Sequence, residues 1–134
     1  MFALGSTSLK NREGVNPKLI EIDDLAITIT LVDYGHGQYA GLRSPDLQNS
    51  LYLKGASERD GYERISNHQT GNALDFFAFV DGKASWKREY LAMVATAHLQ
   101  AAAMLGYPVR WGGLWKTKKS KIYGWDMPHL ELIL

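Results

Sequence analysis

Residues 73–80 read Ala-Leu-Asp-Phe-Phe-Ala-Phe-Val, an apolar run interrupted by a single carboxylate. Phe76, Phe77, Phe79 and Val80 give it apolar side chains on both faces, so it reads as a central strand that needs cover above and below. Asp81-Gly82 directly after it is a hairpin signal. Cover is available from helices. Residues 86–105 are rich in Ala, Leu and Met and stop at Gly106, which predicts the longest helix. Asn16-Pro17 predicts a helix start, with Asn as cap and Pro where no N–H partner is needed. Leu19, Ile20, Ile22 and Leu25 form its stripe, and the β-branched residues in 27–30 weaken its end. Ser44-Pro45 repeats the cap and opens a short helix with Leu47, Leu51 and Tyr52, ending near Gly55. Further strands are expected at 38–43, 108–111 and 129–134, and a long polar loop at 55–67, of the sort that often carries function. The pattern predicts an α+β fold, with a small, mostly antiparallel sheet flanked by helices. With 134 residues, one domain spanning 1–134 is expected.

The chain has no cysteine, which excludes disulfides, thiolate metal sites and a cysteine nucleophile. Any metal must be held by His and carboxylate. The formal net charge of +1 gives no global field for nucleic acid. The local exception is Lys116, Lys118, Lys119 and Lys121, read either as a solvated loop or as a patch that meets an anionic polymer or lipid head groups. No apolar stretch is long enough to cross a membrane, and residues 1–12 lack the pattern of a secretory signal. Synthesis in a cytoplasm is therefore expected, with release by some other agent, and no stable membrane insertion. A monomer is the simple expectation.

Asp75 lies in the apolar run, where a bare carboxylate is expensive to bury unless it meets a cation. His68 precedes it in a loop, and Gly71 and Ala73 between them are small enough for backbone to fold closely around a site. The plainer alternative is that Asp75 pairs with an arginine and His68 is a surface loop residue. His129 could add a third ligand. Two histidines and one carboxylate suit a catalytic zinc with an open position, although these donors accept several metals. Two acids compete as general base. On a regular strand Glu131 shares the face of His129, whereas Asp126 reaches it only if Pro128 turns the chain. Geometry mildly favours Glu131. His36, between two glycines, reads as loop, and His98, in mid-helix, as a satisfied structural histidine. Trp111 and Trp115 line a groove or pack in the core.

The spacing Ser66, His68, Gly71, Ala73, Asp75, followed by Asp126 and His129 as acid-x-x-His, resembles the zinc peptidases of bacterial cell walls. That family includes D-alanyl-D-alanine carboxypeptidases and dipeptidases and phage L-alanyl-D-glutamate endopeptidases, and shares its fold with hedgehog signalling domains. Gly41-Leu42-Arg43-Ser44 with Gln48 is similar to the family's Gly-Leu-Arg-Thr segment and downstream Gln. Trp111-Gly112-Gly113 with Trp115 is similar to the Trp-Gly-Gly segment of the endolysin branch, and residues 126–132 to its Asp-x-Pro-His-Phe-Glu-Leu ending. Ser44 stands where Thr is usual and Leu130 where Phe is usual, and some members carry Glu at the position of Asp126.

The resemblance implies a hedgehog/DD-peptidase-like fold and one zinc ion on His68, Asp75 and His129. It implies Asp126, not Glu131, as the base, with Glu131 orienting a ligand. Arg43 would stabilise the oxyanion, and Ser66, Gln48 and Trp111 would contact substrate. The expected reaction is hydrolysis of the L-alanyl-D-glutamate bond in peptidoglycan stem peptides. The expected setting is phage lysis, with holin-mediated release from the host cytoplasm to the periplasmic wall. The alternatives are a D-alanyl-D-alanine carboxypeptidase and a metal-containing wall-binding module without catalysis, against which the intact Asp126 counts.

Overall fold

Helix α2 (Pro17–Ile29) starts where the Asn16 side chain accepts from the Lys18 N–H, with Pro17 at the first position. It continues through its β-branched end because Ile22, Ala26 and Ile27 are buried, and tertiary packing outweighs local propensity. It packs on α4 (Arg88–Leu105), whose buried Val94, Ala95, Ala101 and Ala102 belong to the same apolar cluster. Gly106 ends α4 in the left-handed conformation, φ 76°. These observations come from a computed structural model that describes residues 1–116 and 124–134. Lys118, Lys119 and Lys121 of the basic patch lie outside the described residues. Among the described residues, no helix is long and apolar enough to cross a membrane.

The small antiparallel sheet is divided in two. One sheet has the order β1 (Asp33–Gly35), β3 (Phe77–Val80), β4 (Lys83–Ser85), and the other β2 (Ala73–Asp75), β6 (His129–Leu132), β5 (Val109–Trp111). All pairings are antiparallel. The apolar run read as one strand therefore breaks at Phe76 and serves both sheets. The Phe76 N–H donates to the Pro128 carbonyl, and its ring stacks on His98 with centroids 5.0 Å apart. The hairpin at Asp81-Gly82 forms as expected, both residues having positive φ.

One expectation needs correction, and one element was not anticipated. Residues 38–43 form turns, not a strand, because this segment wraps against the amino-terminal residues: a Cβ on Gly41 would come 2.7 Å from the Asn11 carbonyl. In addition, helix α1 (Ser6–Asn11) precedes α2, followed between them by the buried Arg12. Helix α3 (Pro45–Leu53) is capped by Ser44 as predicted.

The β2-β6-β5 register decides which side chains meet. Asp75 faces His129 across the ladder, and Ala73, Glu131 and Arg110 form the next row on that same face. Leu74, Leu130 and Trp111 form the intervening row and point the other way, into the core.

Candidate active site

His68 is held by a one-turn 3-10 helix, Asn67–Thr70. Ser66 caps it, its hydroxyl accepting from the His68 N–H, while the Gln69 side chain accepts from the Ser66 N–H. Gly71 closes the turn with φ 76° against the Gly14 carbonyl, which leaves no room for a Cβ. The His68 Nδ1–H donates to the Gly41 carbonyl at 2.9 Å, so Nε2 presents its lone pair to the site. His129 is set the opposite way round. Its Nε2–H donates to Glu131 Oε1 at 2.8 Å, and Nδ1 faces the site. The other Glu131 oxygen accepts from Asn67 at 2.8 Å.

His68 Nε2, His129 Nδ1 and Asp75 Oδ1 thus converge. They lie 3.2 Å (His68 to His129), 3.2 Å (His68 to Asp75) and 3.0 Å (His129 to Asp75) apart. Ligands on a tetrahedral metal with bonds of roughly 2.0 Å are about 3.3 Å apart. Two lone pairs and a carboxylate oxygen facing one another need a positive charge between them. The donor set therefore fits a cation, and these three residues form a candidate metal site. In the absence of a cation, a proton can take the same position. Burial works against charging His129, but hydrogen bonds to Asp75 and Glu131 push its pKa up to about 10. Burial also opposes charge on Asp75, yet His68 and His129 hold its carboxyl well below the usual range.

Asp126 is brought round by the turn at 125–128, which ends where β6 begins. Its Oδ2 lies 3.8 Å from His129 Nδ1, the ring nitrogen that faces Asp75 and His68. Burial and the nearby charge of Asp75 raise its pKa to about 6. The turn packs against Gly112, where any Cβ would collide with the Asp126 backbone, so the Trp-Gly-Gly segment is what lets Asp126 approach. Glu131 shares the His129 face as strand alternation predicts, but His129 and Asn67 occupy its oxygens.

Arg43 donates to the Tyr39 carbonyl, to Gln48 Oε1 and, at 3.2 Å, to Asp75 Oδ2, which fixes the guanidinium beside the ligands. A cavity of about 570 Å³ opens over this group. Ser66 is on its wall, as are Trp115, whose ring centroid is 5.2 Å from that of His129, and Trp125.

The other two expected substrate contacts are placed elsewhere. Gln48 is fully buried; its amide donates to Ser57 Oγ and the Arg59 carbonyl, and it fixes Arg43 and the 55–67 loop without reaching the cavity. Trp111 lies on the core face of β5, with its Nε1–H donated to the Met127 carbonyl at 2.7 Å, so it braces the turn that carries Asp126. Strand alternation from a core-facing Trp111 points to Arg110, which sequence reasoning missed and which lines the cavity. Asn67 and Trp125 were also missed, although each adjoins a recognised site residue.

His36 is buried, not a free loop residue. His36 and His98 each meet a different oxygen of the buried Asp23, at 2.8 and 2.9 Å. Arg12 and the Tyr34 hydroxyl donate to the same carboxylate. His36 Nδ1–H also donates to the Asp75 carbonyl at 2.6 Å, joining this cluster to the candidate metal site. Nothing in the sequence marks Asp23, an acid in mid-helix.

Comparison with known proteins places the chain in a family. A family profile described as phage L-alanyl-D-glutamate peptidase matches residues 1–133. The L-alanyl-D-glutamate peptidase of Escherichia phage T5 is 28% identical over 142 residues, covering 98% of each chain. The crystal structure of the Serratia marcescens L-Ala D-Glu endopeptidase ChiX superposes with a TM-score of 0.80 at 34% identity, covering 98% of this chain and 90% of that one. The fold is hedgehog/DD-peptidase-like, as expected. With the matched profile spanning nearly its whole length, this chain belongs to the phage L-alanyl-D-glutamate peptidase family.

Proposed function

We propose that the chain is a single-domain, zinc-dependent endopeptidase that hydrolyses the L-alanyl-D-glutamate bond of peptidoglycan stem peptides, acting as a monomer in host lysis. The observation that carries the reading is the convergence of His68 Nε2, Asp75 Oδ1 and His129 Nδ1 beside the Asp126 carboxyl. When bound, zinc supplies a Lewis acid that makes water nucleophilic near neutral pH and takes up charge from the scissile carbonyl. Asp126 takes the proton of the attacking water and returns it to the leaving amine; burial and the charge of Asp75 make it a stronger base than a free carboxylate. Arg43, fixed by Gln48 and Asp75, donates to the developing oxyanion. Glu131 keeps His129 in the tautomer that presents Nδ1. Ser66 lies where it can contact the peptide. The wall lies outside the cytoplasm, so access to it would follow passage through a holin lesion.

The test is mass spectrometry of purified Gram-negative peptidoglycan incubated with the protein, chelated and then resupplied with zinc. New D-glutamate amino termini that vanish on chelation and return with zinc are expected. Release of terminal D-alanine would replace the reading with a carboxypeptidase, and no cleavage under any metal condition would replace it with a wall-binding module.

A further inference from the structure

Four of the charged side chains around the cavity are already engaged. Asp75 and Arg43 hold each other, and Glu131 is occupied by His129 and Asn67. Asp126 stands over the ligands. Glu58, Arg59 and Lys116 also line the cavity, all outside the strands, whereas Arg110 belongs to the sheet itself. It is exposed, lines the cavity and sits in the row of Ala73 and Glu131, on the sheet face that carries Asp75 and His129. Its charge is felt by Glu131, yet among the described residues no carboxylate lies within ion-pairing distance of it. Residues 117–123 contain no acid that could pair with it either. Arg110 is therefore a cation that faces the site with Glu131 nearby but, among the described residues, without an ion pair of its own.

Its position relative to Arg43 gives it a direction. Strands β2 and β5 are the outer strands of their sheet, with β6 between. Arg43 is bonded to Asp75 at the β2 edge, and Arg110 stands at the β5 edge. A scissile carbonyl drawn toward Arg43 leaves the amine half of the substrate on the Arg110 side. In a stem peptide the chain continues through the γ-carboxyl of D-glutamate. Its α-carboxylate is therefore free, on the carbon bonded to the scissile nitrogen. That anion must enter a cavity that already holds Asp126 and Glu131, and like charges oppose it unless a cation receives it.

We propose that Arg110 is a specificity-determining residue that binds the free α-carboxylate of the D-glutamyl residue, so that the enzyme prefers acidic stem peptides to those amidated at that carboxyl. This rests on the peptidase reading above. Arg110 donates a two-pronged hydrogen bond to the carboxylate. An α-carboxamide would lose the charge and place its own donor against the guanidinium.

The experiment compares two synthetic stem peptides, one with D-glutamate and one with D-isoglutamine at the same position. Both are cleaved by the zinc-loaded full chain as wild type, Arg110→Gln, Arg110→Lys and Arg59→Gln. Wild type is expected to favour the acid in kcat/KM by roughly ten-fold or more, as for a hydrogen bond between charged groups. Arg110→Gln should bring the acid-to-amide ratio close to one, and Arg110→Lys should restore part of it. Equal wild-type cleavage of both peptides overturns the proposal. So does an equal fall on both in Arg110→Gln, or loss of discrimination in Arg59→Gln instead. Cleavage of neither peptide by wild type overturns the peptidase reading and the role of Arg110 with it.

Discussion

His68, His129 and Asp75 form one set of two histidines and an aspartate, and His36, His98 and Asp23 form another, joined to it through the Asp75 carbonyl. The residue types are the same and the arrangements are opposite. In the first set each histidine spends one ring nitrogen on a partner outside, Gly41 or Glu131, and turns the other toward a shared point. The Asp75 side chain there is 26% exposed. In the second set the centre is the carboxylate itself, fully buried, with Arg12, Tyr34, His36 and His98 all directed at its oxygens. A candidate metal site needs converging lone pairs with one open side. A structural polar core needs an anion enclosed by donors. Composition does not separate the two; the direction of each ring does.

The largest expected effect comes from exchanging the damage between the sets. His68→Ala should abolish stoichiometric zinc binding and lower kcat/KM by about 10³-fold or more, since metal assistance is worth several kcal/mol. Asp23→Ala should instead destabilise the fold by about 3–5 kcal/mol, because it removes the buried anion from Arg12 and the acceptor from the Tyr34 hydroxyl and the His36 and His98 rings. Metal analysis by mass spectrometry and urea unfolding separate the outcomes. An Asp23→Ala protein of undiminished stability that no longer held zinc would erase the distinction.

Acid sharpens the same contrast. Burial would raise the pKa of Asp23, but His36 and His98 hold it well below the normal value. A depressed carboxylate stabilises the fold above its unfolded pKa of about 3.9, and that stability is lost as pH falls below it. Asp126 is displaced the other way, up to about 6, and must be ionised to accept a proton. Activity should therefore rise with pH as Asp126 ionises, on a limb that a bound cation places below the metal-free value of about 6. Asp126→Asn should lower kcat by roughly 10²- to 10⁴-fold, remove that rising limb and leave zinc bound. An unchanged limb would assign it to another group.

The smallest effect is expected at Trp111→Phe, which keeps the packing and removes the hydrogen bond to Met127. A loss of about 1 kcal/mol in urea unfolding is anticipated, with kcat affected more than KM because the turn carries Asp126. A rise in KM alone would return Trp111 to the substrate groove.

What could be read from the chain in advance was mostly local. Caps at Asn16, Ser44 and Gly106 and the turn at Asp81-Gly82 depend on a few neighbouring residues, and all formed where expected. Asp75 announced itself as a carboxylate in an apolar run. Helix α1 did not, because its buried Ser8 is tied to a distant partner, accepting from the His36 N–H. Strand alternation put Glu131 on the correct face but could not reveal that Asn67 and His129 fill its oxygens. The burial of Gln48 and the choice between groove and core for Trp111 were not legible, because which way a polar or aromatic side chain turns is settled by packing between elements, whereas Asp126 was chosen by resemblance alone.

The break at Phe76 has a consequence for motion. The amides of Asp75 and Phe76 are donated to Ala40 and Pro128, and the residues on either side belong to different sheets. Both acceptors lie in turns, Ala40 in the one that carries Gly41 and Pro128 in the one that carries Asp126. Hydrogen exchange at these two amides should therefore report how often each turn lifts from the strand, without waiting for the sheets to separate. Any loosening of the Asp126 turn would then be visible at the Phe76 amide before it is visible in the core.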